Sequence, residues 1–333
     1  MKIYLAGDSI VQNYEKEEFI AGWGQFLPFF IKDGVEVVND AKGGRSSRLF
    51  INEGRFDNIE KNISAGDYLL IEFCHNDDAS KEYKTMFNRL TPLGEPDSDG
   101  RFPIIPGEAM PKDYIPPEYI DALRKDENVK DKQAVLDSVY KILESYPHDT
   151  YYPYSADGSK GTYLWFLKQF VDMAREKGAV PVFVTAPART VYDANGNIKD
   201  GAGLHGGNNF AYIRAMKQLG EEAKVPVIDL FAYSCGLYKQ IGKEKIHWIT
   251  SIKKGCNKGI WPDDFNSEMQ KKETVSEDTH FNKYGAMLIT QGLVKLIKES
   301  DRSQLDGLKG MLKNPDGIDI EKYVKKPLVF EEF

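Results

Sequence analysis

Apolar residues along this chain follow two rhythms, and the alternation between them predicts the fold. Five short runs, residues 2–6, 35–39, 67–73, 179–186 and 225–230, are almost continuous in β-branched or large apolar side chains. Runs of this length without polar alternation suit strands buried on both faces, as in a parallel sheet. Between them the period lengthens to that of a helix. Over residues 162–177, Leu164, Leu167, Phe170, Val171 and Ala174 fall on one helical face, and Gly178 stands where a C-terminal cap is expected. Residues 210–224 and 282–300 carry the same spacing. Strands alternating with helices imply a doubly wound α/β architecture.

Two stretches leave this rhythm. Residues 78–161 are rich in proline and charge, as in "GRFPIIPGEAMPKDYIPPEYI", with no strand–helix unit. A structureless loop of that length is rare in a compact domain, so an elaborated insertion with short helices is expected. Residues 301–333 also lie outside the core pattern and are expected to form a C-terminal extension of a domain spanning 1–300.

Composition narrows the classes. With 333 residues and 41% hydrophobic content the chain has material for one large α/β domain or two ordinary ones. Forty-four basic against 51 acidic residues give a net charge of -7. Tracking phosphates needs a concentrated basic face, so nucleic acid is not an expected partner. No apolar run approaches the roughly 18–20 residues of a membrane span. The start, "MKIYL", lacks the zones of a signal peptide, and a cytoplasmic location is expected. Cys74, Cys235 and Cys256 are odd in number and contain no CxxC pair, which argues against a disulfide framework or a cysteine-built zinc site.

In a parallel α/β sheet the loops after the strands gather at the carboxyl edge, where such folds hold ligands. Four loops assigned to that edge carry unusual residues: Gly7-Asp8-Ser9; "DAKGGRSSR" with Gly43, Gly44, Arg45 and Ser46; "CHNDD" with His75, Asn76 and Asp77; and "SEDTHFNKYGA" with Glu277, Asp278 and His280. The set suits nucleophilic acyl transfer. A serine hydroxyl needs an adjacent base to become a useful nucleophile, and His280 can take its proton. A neighbouring carboxylate can hold the imidazole in the right tautomer. The oxyanion then needs fixed donors, which the Ser9 N–H, a glycine N–H of the second loop and the Asn76 amide can supply.

At these residues the chain resembles the SGNH (GDSL-like) hydrolases, and within them the rhamnogalacturonan acetylesterases of carbohydrate esterase family 12. "GDS" resembles the nucleophile block, "NDAKGGRSSRLFINEGRF" the second, "DYLLIEFCHND" the third and "DTHFNKYGA" the last. The resemblance implies Ser9 as nucleophile, Gly44 and Asn76 at the oxyanion and His280 as base. It further implies a flavodoxin-like three-layer α/β/α fold with a parallel five-stranded sheet in the order 2-1-3-4-5, and no cofactor. The implied substrate is an acetylated oligosaccharide of the rhamnogalacturonan or pectin type, with the insertion as a lid or cleft wall. Two positions depart from the family. Glu277 stands where its DxxH pattern has aspartate, with Asp278 one residue nearer; either can orient His280, and the shorter Asp278 is slightly preferred. Cys74 replaces the glycine before "HND" and is read as a packing residue.

Plainer roles stand beside these. Asp8 suits an Asx-type turn, and Gly43 and Gly44 a tight turn. Arg45 and Arg48 suit either substrate contact or structural ion pairs, and Trp23 either sugar stacking or packing. His75, Asp77 and Asp78 are poorly disposed for a shared metal, because neighbours on an extended chain alternate sides. His148 and His205 read as surface residues, and Tyr151, Tyr152 and Tyr154 as possible cleft lining. Two other functions remain open: an esterase or thioesterase on another acyl compound, and a carbohydrate-binding scaffold without activity.

Overall fold

The five expected strands all form and pair in the expected order. The computed structural model of the protein describes residues 1–15, 20–78, 89–127, 129–155, 157–196, 198, 210–252 and 276–324. Strands β1 (Lys2–Gly7), β2 (Glu36–Asn39), β3 (Tyr68–Glu72), β4 (Val180–Val184) and β5 (Val227–Ile228) make one sheet in the order 2-1-3-4-5, parallel throughout. Their unbroken apolar character follows from burial on both faces. Ile3, Leu5, Tyr68, Leu70, Val182 and Val184 enter one core; Tyr4, Ala6, Leu69, Ile71 and Phe183 enter the other. Successive side chains of a strand point to opposite sides, so two cores require apolar residues at every position.

Helices cover each face. Tyr163–Glu176 and Ala211–Glu222 pack on the second core. The five residues expected on the first helix's apolar face are fully buried, and Gly178 follows its end at φ +75°. Leu230–Ile241 and Lys283–Glu299 pack on the first core. The latter begins at Asn282, whose side chain accepts from the Gly285 N–H. No described helix is long and apolar enough to cross a membrane.

The described part of the insertion contains the helices Pro117–Lys125 and Lys132–Glu144. They close over a cluster of their own that includes Tyr119, Leu123, Val139, Leu143 and Tyr151. Arg48, 2% exposed, fastens this layer to the sheet domain. Its Nε and Nη2 donate to the Leu90 carbonyl at 3.2 and 3.0 Å, and its Nη1 to the Tyr152 carbonyl at 2.8 Å.

Two features differ from the sequence expectation. Residues 301–324 are not outside the core: Leu305, Leu308, Met311 and Leu312 are buried in it, and Leu312 bridges to Ile31. Their short helical turns have too few residues to show a period. The fourth loop is also not simply a loop. Its residues form β7 (Ser276–Phe281), antiparallel to β6 (Thr250–Ile252) in a separate two-stranded ribbon.

Candidate active site

Ser9 sits where β1 ends, and each residue before it has a local cause. A Cβ on Gly7 would stand 2.6 Å from Val11 Cγ2 and 2.9 Å from the Glu72 carbonyl, so only glycine lets β1 and its turn lie this close. Asp8 is fully buried and accepts the Ile10 N–H at 2.9 Å through Oδ1, the Asx turn expected of it. Its other oxygen accepts from Asn76 Nδ2 at 3.0 Å, which ties the first loop to the third. Ser9 is left partly exposed at the turn.

His280 arrives from the ribbon. Phe281 is buried in the core, and the Ala21 N–H donates to its carbonyl at 2.9 Å. Strand alternation then turns His280 to the opposite side, where its Nε2 lies 2.8 Å from Ser9 Oγ. These two residues, 271 apart in sequence, form the hydrogen-bonded pair that acyl transfer needs.

The second loop closes beside them. A Cβ on Gly43 would stand 3.4 Å from Ser9 Cβ, and the Gly43 N–H donates to Gln12 Oε1 at 2.5 Å. Gly44 has φ +80°, a conformation that favours glycine. Asn76 is nearly buried. Its Nδ2 donates to Asp8 and, at 3.3 Å, to the Arg45 carbonyl, while its Oδ1 accepts from Arg89 Nη1 at 3.4 Å.

The preference for Asp278 as the orienting carboxylate meets a competing partner. Its Oδ1 accepts from Arg189 Nη2 at 2.5 Å and from Thr279 Oγ1 at 3.0 Å. Partial burial pushes this carboxyl up, but the hydrogen bond and charge of Arg189 outweigh it and hold Asp278 below the usual carboxylate range. The Glu277 side chain lies outside the described residues, as do His205 and Cys256.

Among the buried carboxyls of this region, Asp8, Asp77 and Glu72 lie under the loops. Burial raises Asp8 to about 6, against hydrogen bonds from Ile10 and Asn76 and the charge of His280. Burial raises Asp77 to about 7 despite the donors of Ser47 and Thr91. Glu72 is pushed well above its ordinary value by burial and then by Asp8 and Asp77. Neither of its oxygens has a hydrogen-bond partner among the described residues.

The remaining candidates take structural places. His75 Nε2 lies 3.0 Å from the Pro187 carbonyl and Asp77 faces Ser47, so the two diverge rather than share an ion. Arg45 makes a bidentate pair with Glu53, both contacts 2.8 Å. Trp23, Cys74, Tyr151 and Tyr154 are buried, which removes Trp23 as a stacking platform. His148 pairs with Asp57 on the surface. Gln12, Arg89 and Arg189 join the site without having been expected there: Gln12 lies three residues beyond Ser9, Arg189 follows β4 at the carboxyl edge of the sheet, and Arg89 stands in a stretch without local pattern.

The fold and its relatives place the chain among the SGNH hydrolases, ester hydrolases in chemical class. No family model matches the chain. It is 30% identical over 300 residues to rhamnogalacturonan acetylesterase RhgT of Bacillus subtilis, covering 90% of each chain. It is also 30% identical over 298 residues to the probable rhamnogalacturonan acetylesterase YesY of the same organism, covering 89% of this chain and 92% of that one. The crystal structure of Bacillus subtilis YxiM shares the fold, with a TM-score of 0.53 at 18% identity, over 91% of this chain and 57% of that one. The chain belongs to the rhamnogalacturonan acetylesterase family of the SGNH hydrolases.

Proposed function

We propose that the protein is a carbohydrate acetylesterase that removes acetyl groups from acetylated rhamnogalacturonan-type oligosaccharides through a serine acyl-enzyme. The observation that carries the reading is the 2.8 Å contact between Ser9 Oγ and His280 Nε2. Ser9 Oγ attacks the acetyl carbonyl as its proton passes to Nε2. The tetrahedral oxyanion is received by the N–H groups of Ser9 and Gly44 and by Asn76 Nδ2. Of the two Asn76 bonds, the 3.0 Å link to Asp8 anchors the amide, and the longer 3.3 Å contact with the Arg45 carbonyl is the one released to the oxyanion. His280 returns its proton to the departing sugar oxygen. A water then gives its proton to His280 and attacks the acetyl-serine, and acetate leaves as Ser9 recovers its hydrogen.

The carbohydrate substrate rests on the 30% identity to a rhamnogalacturonan acetylesterase and a probable one of Bacillus subtilis. The insertion is read as a wall of the cleft, since Arg89 from its described beginning reaches Asn76.

The test is acetate release by wild type, Ser9→Ala and His280→Ala from acetylated rhamnogalacturonan oligosaccharides and from a neutral aryl acetate. Both variants should lose about 10³-fold or more while keeping the wild-type far-ultraviolet spectrum. Turnover of the aryl ester alone removes the carbohydrate assignment and keeps the chemistry. Absence of acetate from both substrates with wild type removes the esterase.

A further inference from the structure

One guanidinium lies across the α-carbon of Gly44. A methyl group built on that carbon would stand 3.0 Å from Arg89 Nη2, 3.2 Å from its Cζ and 3.5 Å from its Nε. Three atoms of one planar group at nearly equal range place the guanidinium beside the Gly44 α-carbon, where a side chain would begin. The left-handed backbone is the reason for glycine at 44, and the guanidinium lies directly against it. From the same guanidinium, Nη1 donates to Asn76 Oδ1 at 3.4 Å. Arg89 therefore adjoins both of the loops assigned to the oxyanion, and the neighbouring Gly43 abuts Ser9.

The contact with Oδ1 matters because an amide is two-sided. Its oxygen repels a developing oxyanion and its nitrogen stabilises one. Arg89 can only donate, so it selects the amide orientation in which Oδ1 faces the guanidinium and Nδ2 faces Asp8 and the Arg45 carbonyl. Asp8 enforces the same choice from the other end, since an ionised carboxylate accepts and cannot donate.

We propose that Arg89 is a positioning residue of the oxyanion pocket, fixing the Asn76 amide with its nitrogen inward and adding a positive charge beside the Gly44 loop where the tetrahedral intermediate is negative. The proposal rests on the esterase reading above. It assigns Arg89 to transition-state stabilisation, where its loss lowers kcat and kcat/KM together and leaves KM little changed. A guanidinium at this place also suits a carboxylate on the substrate, which would act in KM instead, and a neutral substrate separates the two.

The experiment measures kcat and KM on a neutral aryl acetate for wild type, Arg89→Lys, Arg89→Gln and Arg89→Ala. Arg89→Ala is expected to lose on the order of 10- to 100-fold in kcat with KM within about threefold. Arg89→Lys should retain more of the rate than Arg89→Gln, because it keeps the charge though not the planar contact. Added guanidinium ion at about 10–50 mM should restore part of the rate of Arg89→Ala and leave wild type unchanged, since the small cation supplies the missing group. Arg89→Gln keeps a donor for Oδ1 and serves as the control if the alanine variant unfolds. An unaffected kcat in a folded variant overturns the proposal, as does a loss confined to KM or seen only with anionic esters. A wild type that releases no Ser9-dependent acetate overturns both readings; one that does, beside an unaffected Arg89→Ala, overturns this one alone.

Discussion

Replacing Asp77 by asparagine tests the acidic floor of the site through stability. Asp77 is fully buried. Ser47 donates to its carboxylate from N at 3.0 and 3.2 Å and from Oγ at 2.5 Å. These bonds favour the charged form, yet burial outweighs them and raises the group from 3.8 to about 7, with Asp8 adding to the rise. In the unfolded chain the same group titrates near its ordinary value of about 3.9. Between those values the folded protein holds a proton that the unfolded chain has released, so stability falls as pH rises. The contribution is full below about pH 4 and lost as pH climbs through about 7. A difference of roughly 3 pK units at about 1.4 kcal/mol each gives on the order of 4 kcal/mol across the window.

Urea unfolding at about pH 5 and about pH 7 reads roughly half of that span. Wild type should lose about 2 kcal/mol more than Asp77→Asn between those two conditions. His247 works in the opposite sense, because burial holds it below its ordinary value, but it is common to both proteins and cancels in the difference. Glu72 is raised partly by Asp77, so its relaxation in the variant flattens the variant's pH dependence further. Equal pH dependence of the two unfolding midpoints would refute the reasoning and mean that Asp77 is ionised in the folded protein at neutral pH.

Arg48→Met keeps the buried stem but removes both donors from the Leu90 carbonyl; it should lower stability by about 2 kcal/mol and speed proteolysis within residues 89–161, and an unchanged urea midpoint would count against the fastening role. Asp278→Asn releases Arg189 and should change kcat by less than about 10-fold, whereas a loss of about 10³-fold or more would give Asp278 the orientation of His280 after all. With Asp278 held by Arg189, the parallel variant Glu277→Gln should show the larger loss of the two in acetate release.

What the sequence made legible follows from how each feature is encoded. The sheet was readable because a strand buried on both faces must be apolar at every residue, and Leu69 and Leu70 enter different cores side by side. The Leu230–Ile241 helix was hidden because it follows β5 almost without a break, its cap being Asp229, so strand and helix merge into one apolar run. β7 was hidden for the opposite reason: "SEDTHF" carries the site and has almost no apolar pattern. Ser9, Gly44, Asn76 and His280 stand out in the sequence because each sits in a short, distinctive string, and the fold brings those strings together. The preference for Asp278 rested on side-chain length, which is a local property. Arg189, which claims it, stands 89 residues away, and no local pattern announces such a partner. Arg89 is invisible in sequence for the same reason.

The triplet Gly-Asp-Ser answers to three separate physical demands, and the middle residue shows how they combine. Two donors converge on Asp8, the Ile10 N–H on Oδ1 and the Asn76 amide on Oδ2. A side chain that receives both must accept at two atoms, which a carboxylate does and an asparagine, with one oxygen and one NH₂, does not. The carboxylate has to be buried to reach Asn76, and burial alone favours its neutral form. The two donors, and the charge His280 carries once it has taken a proton, oppose the resulting rise in pKa and hold it to about 6. Those same groups are the ones the chemistry uses: His280 faces Ser9, and Asn76 faces the oxyanion in the proposed cycle. The carboxylate therefore orders the amide, and the amide in turn favours the charged carboxylate. Gly7 permits the close turn that puts Asp8 beneath this meeting point, and Ser9 comes next in the chain, at the surface and within reach of His280.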